Sequence, residues 1–88
     1  GEDITRQDLC VMICRMADIA KGSFENVNAS AEFSDGNEIA DYAKEAVGRM
    51  QTAGIISGYD DNSFRPNGFA TRAEAAKIIY ETLVRITY

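Results

Sequence analysis

A small all-α module of three helices is predicted by three features of this 88-residue chain. Apolar residues recur at helical spacing in three separate stretches. Two of those stretches open with the same Thr-Arg pair, followed two residues later by an acid. A glycine-rich segment from Gly54 to Gly68 separates the second stretch from the third. A chain of this length forms one small domain, near the lower limit at which an apolar core sustains itself without staples.

The first helix is expected from about Thr5 to Ala20, with Leu9, Met12, Ile13 and Met16 on one face at i, i+3, i+4 and i+7. Lys21 to Glu32 has no period and reads as a connecting loop, pinned to the core by Phe24 and Val27. A middle helix follows, capped by Asp35 or Asn37, with Tyr42, Ala43, Ala46, Val47 and Met50 as its buried stripe. It stops at Gly54 in a left-handed conformation, and Ile55 folds back on Met50 as the apolar partner of the stop. The last helix starts at Thr71 and buries Ala76, Ile79, Tyr80 and Leu83, with Ile86 extending the stripe.

The chain begins and ends with one element, since Ile4-Thr5-Arg6-Gln7-Asp8 recurs as Ala70-Thr71-Arg72-Ala73-Glu74. Thr5 with Asp8, and Thr71 with Glu74, are spaced as reciprocal caps, in which hydroxyl and carboxylate each take an orphan amide. Arg6 and Arg72 then stand at the first helical position, where a cation meets the positive end of the helix dipole at a cost of about 0.3–1 kcal/mol. A guanidinium beside free amides is suited to a carboxylate or phosphate, which makes these two arginines the candidate anion contacts. The structural alternative is pairing with Asp35, Asp60 or Asp61.

Composition removes several function classes. A net charge of −5, with nine basic residues scattered among fourteen acidic ones, argues against nucleic acid as a partner. No apolar run approaches the roughly 18 residues that would read as a membrane span. The polar start GEDITRQDL is not a signal peptide, and the chain reads as a piece of a longer protein. Cys10 and Cys14 lie four apart on one helix face and read as buried apolar residues rather than a disulfide. With no His and two cysteines there is no closed metal site, and no cofactor is implied. Asp60 and Asn62 fit the start of a calcium loop, but Phe64 and Arg65 occupy later positions that need a ligand and a glycine. Asn28-Ala29-Ser30 matches a glycosylation sequon without further support. Lacking His, an evident base for Ser57 or Ser63 and a deep pocket, the chain is not expected to be an enzyme.

The order Gly54-Ile55-Ile56-Ser57-Gly58-Tyr59, then Asp61, Phe64-Arg65-Pro66-Asn67 and Thr71-Arg72-Ala73-Glu74, resembles the C-terminal half of the S-layer homology (SLH) module, a bacterial cell-wall anchoring repeat. Phe33-Ser34-Asp35 matches the module's entry, and Tyr42-Ala43 falls where the family has Trp-Ala. Asp8, Gln7 and Ala70 depart from the family pattern, where Glu, Ala and Ile stand. The resemblance implies that residues 1–20 are the final helix of a preceding repeat, 21–32 a connecting loop and 33–88 one repeat. It implies an extracellular place at the bacterial surface. It also implies noncovalent attachment of a secreted or surface protein to the wall through an anionic, pyruvylated secondary cell-wall polysaccharide. Arg72 would be the main contact and Arg6 its counterpart in an adjacent groove, with Asp35, Tyr42 and Gly54 shaping the groove. The family carries three repeats around a pseudo-threefold axis, so this chain would hold one complete groove at most. The rival reading is an SLH-like structural module that packs against its own protein, neighbouring repeats or copies of itself, favoured by the replaced Trp and the low repeat number. A metal-dependent protein-binding module ranks third.

Overall fold

Three helices form where the periodicity places them in a computed structural model, which describes residues 4–24 and 33–87. Helix α1 runs Arg6–Ile19, α2 runs Asp41–Thr52 and α3 runs Arg72–Arg85. A single 3₁₀ turn, Gly36–Glu38, leads into α2. Inside the expected loop, Ser23–Phe24 forms a two-residue strand, β1, antiparallel to β2 at Ile86–Thr87, with Phe24 opposite Ile86. Phe24 does pin this segment: its ring is half-buried against the core and carries the Arg49 guanidinium 5.3 Å above it. Val27 and the sequon lie outside the described residues.

The core is the seam between α1 and α2, closed by the glycine-rich segment. Leu9, Cys10, Ile13 and Cys14 of α1 meet Ala43, Ala46, Val47 and Met50 of α2, and Ile55, Ile56 and Phe64 seal the far side. Phe33 stacks on Phe64 with ring centroids 5.2 Å apart, joining the entry of the module to its turn. Gly54 stops α2 as expected. At φ 77° it takes the left-handed conformation that glycine adopts without the Cβ penalty. Its amide donates to the Gln51 carbonyl at 3.0 Å, and the Ile55 amide donates to Met50 at 2.9 Å. Those two bonds satisfy two of the last carbonyls of α2 in the paired pattern of a Schellman stop.

Several expectations are corrected. Neither Asp35 nor Asn37 caps α2; the N-cap is Ala40, and its amide is held by Oε1 of Gln7, reaching across from α1 at 2.9 Å. Tyr42 is not in the core but 62% exposed, because α2 turns Ala43 inward and so carries position 42 to its flank. In α1, Met12 and Met16 are exposed while Cys10, Cys14 and Ala17 are buried. In α3 the expected stripe of Ala76, Ile79, Tyr80 and Leu83 faces outward, and Ala75, Ile78 and Thr82 face the rest of the chain. The reciprocal cap is complete only at α3, where Glu74 accepts from the Thr71 amide at 2.9 Å and returns its own amide to Thr71 Oγ1 at 3.0 Å. At α1 the Asp8 amide reaches Thr5 Oγ1 at 3.3 Å, but the carboxylate, one methylene shorter than that of Glu, instead accepts from the Tyr42 hydroxyl at 2.5 Å.

Candidate functional site

The two Thr-Arg helix starts lie side by side. Thr5 bridges Phe69 in antiparallel fashion, the Ala70 amide donates to the Ile4 carbonyl at 2.9 Å, and the Arg6 amide donates to Gly68 at 2.9 Å. This pairing carries the Arg6 side chain over the glycine-rich segment and into the first turn of α3.

There Arg6 meets Glu74, not the acids its neighbourhood in the sequence suggested. The guanidinium donates through Nη2 at 2.8 and 3.0 Å and through Nε at 3.2 Å, with the two side chains 13% and 30% exposed. Tyr59 donates its hydroxyl to the same carboxylate, and Arg6 lies over the Tyr59 ring with 5.2 Å to the centroid. Burial alone would raise the Glu74 pKa; the bonds from Tyr59, the Thr71 amide and Arg6 outweigh it and pull the carboxyl down to about 2. Tyr59 moves the other way, raised by burial and then by its bond to Glu74. Gly68 makes room for this clasp, because a Cβ there would stand 2.3 Å from Arg6 Nη1.

Beside the clasp is a cleft of about 230 Å³ whose lining includes Arg6, Ser57, Gly58, Tyr59, Glu74 and Lys77. Its floor is apolar, from Ile55, Ile56, Phe64 and Ile78. The cleft combines the Ser57 and Tyr59 side chains, the Gly58 backbone and two cations around a small apolar base, the kind of lining that places a few polar groups over an apolar floor. Arg6 enters with its charge already met by Glu74, whereas Lys77, exposed at the rim, forms no ion pair among the described residues.

The other residues singled out by sequence fall elsewhere. Arg72 is exposed at the start of α3 and forms no ion pair among the described residues. Asp35 accepts from the Phe64 and Arg65 amides at 2.8 and 2.9 Å and holds the turn together. Tyr42 ties α2 to α1 through Asp8, and Gly54 ends α2. None of these four lines the cleft. Asp61 accepts from the Ser63 amide and hydroxyl, bonds that lower its pKa and close the turn from within. Among the described residues no cluster of three or more His, Cys, Asp or Glu is arranged to hold a metal ion. Cys10 and Cys14 are free and buried; burial, then the neighbouring thiol, pushes Cys10 up to about 12.

Sequence reasoning missed Gln7, Gly68, Tyr59 and Lys77. Gln7 looked like a departure from a pattern, yet it is buried, caps α2 and donates to Asn67 Oδ1 at 3.0 Å. The signal available was Gln7 itself, standing in the Thr-Arg helix start where the second copy has Ala73.

The profile of the S-layer homology domain matches residues 32–76, just over half of the chain. The chain belongs to the S-layer homology domain family. Among similar proteins, Exoglucanase XynX of Acetivibrio thermocellus is 38% identical over 94% of this chain and 8% of its own length. Amylopullulanase of Thermoanaerobacterium thermosulfurigenes is 39% identical over 94% of this chain and 4% of its own length. The Surface-layer 125 kDa protein of Lysinibacillus sphaericus is 42% identical over 65% of this chain and 5% of its own length. The SLH chain thus spans less than a tenth of the relatives it matches, and the enzymes among them share with it only that small part. No solved structure matches it. No described helix of this SLH module is long and apolar enough to cross a membrane.

Proposed function

We propose that this SLH module attaches its parent protein noncovalently to the bacterial cell wall, outside the cell, by binding an anionic secondary cell-wall polysaccharide with pyruvylated sugars as the preferred units. The carrying observation is the contrast between the two Thr-Arg starts: Arg6 is closed by Glu74, whereas Arg72 is exposed with no ion pair among the described residues. An uncompensated guanidinium at a helix start, beside backbone donors, suits a carboxylate. Arg72 is the main anion contact, and the cleft beside Arg6, with Ser57, Gly58 and Lys77, is the place for a sugar ring. Asp35 and Gly54 act by holding the turn that shapes the cleft, and Tyr42 by tying α2 to α1. Residues 1–20 are read as the closing helix of one repeat and 33–88 as the next. The work is binding rather than catalysis, since the enzymes among the relatives extend far beyond the shared region.

Co-sedimentation with purified wall sacculi tests the reading, with intact polymer, with polymer stripped of its pyruvate ketals and with Arg72→Ala. Sedimentation with intact polymer alone, reduced at least about tenfold in both controls, is the expected result. Equal sedimentation in all three, or none from a folded chain, would overturn it.

A further inference from the structure

Arg65 holds a backbone conformation that its own residue type disfavours. At φ 60° it lies in the left-handed region, and it stands directly before Pro66, whose ring drives the preceding residue toward extended backbone. Asn62, also at positive φ, is a residue type that enters that region far more readily. The conformation at Arg65 is fixed without its side chain. Asp35 accepts from the Phe64 and Arg65 amides at 2.8 and 2.9 Å, the Gly68 amide donates to the Arg65 carbonyl at 3.1 Å, and Pro66 is buried. Glycine would serve the turn with less strain, so the reason for an arginine lies in its guanidinium.

That guanidinium lies over the Tyr59 ring, 4.0 Å from its centroid, and its Nε donates to Ser63 Oγ at 3.3 Å. The side chain is still 53% exposed, and Asp61 Oδ2 faces its Nη2 at 3.9 Å, beyond hydrogen-bond reach. An exposed stack of this kind returns no more than the strained backbone costs, so fold stability does not account for the residue. Tyr59 also lines the cleft beside Arg6, and through it the stack borders the place given above to a sugar ring. We propose that Arg65 and Asp61 together bind two neighbouring hydroxyls on a neutral sugar of the wall polysaccharide, with Arg65 Nη2 donating to one and Asp61 Oδ2 accepting from the other. The proposal rests on the wall-binding reading and adds to it a contact for an uncharged unit. Asp61 Oδ1 is taken by the Ser63 amide and hydroxyl, which leaves Oδ2 as the acceptor beside Arg65. A second carboxylate there would be repelled by Asp61, whereas hydroxyls both give and take hydrogen bonds.

Arg65→Gly in the full chain tests it, because relief of strain and loss of a ligand contact move two readouts in opposite directions. The urea midpoint of the variant should equal or exceed that of the parent. Its affinity for polysaccharide released from purified wall sacculi, read by titration calorimetry, should fall by at least about fivefold. Asp61→Asn is the second arm: its amide oxygen still accepts from Ser63, while a donor replaces the acceptor that faces the ligand, and affinity should fall again. A lower urea midpoint for Arg65→Gly would make Arg65 a strut for Tyr59 and overturn the proposal. Parent-like binding by Arg65→Gly overturns it too, as does unchanged or tighter binding by Asp61→Asn, the latter being the mark of an anion site. Arg72→Ala, run alongside, separates the two readings. If it binds weakly while Arg65→Gly matches the parent, the diol contact alone fails; if the parent binds no polysaccharide, the wall-binding reading fails and the diol contact with it.

Discussion

Glu74→Gln isolates the clasp on which both the turn and the cleft depend. The side-chain carboxylate accepts from Arg6, Tyr59 and the Thr71 amide, and its pKa falls from 4.5 to about 2. A drop of that size corresponds to about 3 kcal/mol of linkage at most; with the side chain still 30% exposed, solvent screening reduces it to about 1–2 kcal/mol. The sign follows from the direction of the shift. A depressed carboxyl binds fewer protons folded than unfolded, so its stabilisation is complete above the unfolded pKa near 4.5. It is lost as pH falls toward about 2. Urea and thermal unfolding of the parent and Glu74→Gln at pH 7, 4 and 2.5 provide the assay. The variant should be weaker by about 1–2 kcal/mol at pH 7, roughly 4–15 °C in Tm, and the gap should close on acidification. A variant within about 0.3 kcal/mol of the parent at pH 7, or a gap that persists unchanged at pH 2.5, would refute the assignment of the clasp.

Gly68→Ala places a methyl 2.3 Å from Arg6 Nη1. Since only the far end of a flexible side chain must move, a loss of about 1–2 kcal/mol in urea unfolding is expected, largely absent when Glu74→Gln is already in place. Cys10 and Cys14, buried and with thiols pushed upward, should resist an aromatic disulfide reagent at pH 8 in the folded chain and react together on unfolding. Rapid labelling of the native protein would count against that core.

Local chemistry made the helices and their ends readable. The stop at Gly54 needs only a left-handed residue after a helical stripe, and the cap at Thr71 needs only a hydroxyl and a carboxylate three residues apart. The faces were less readable, because a helix that packs on two sides shows a broad apolar band. Choosing the stripe Leu9, Met12, Ile13 and Met16 mixed one face with the other, and only Leu9 and Ile13 are buried. Tyr42 was misplaced for a related reason: aromatic character argues for burial, but a hydroxyl meeting Asp8 at 2.5 Å is satisfied at the surface. Arg6 was legible as an unusual cation. Its partner was not, because Glu74 lies 68 residues away and its role as a cap already accounted for it locally.

The three helices, the glycine stop, the repeated Thr-Arg start and the family were legible in the residues alone, since each depends on residues within a few positions of one another. What the two arginines face was set by long-range packing. Pairing Ile4 and Thr5 with Phe69 and Ala70 sets the two helix starts side by side, so the first arginine is spent on the carboxylate of the second start. The second is left exposed because, among the described residues, no acid is placed to meet it, an outcome that depends on the path of the whole chain.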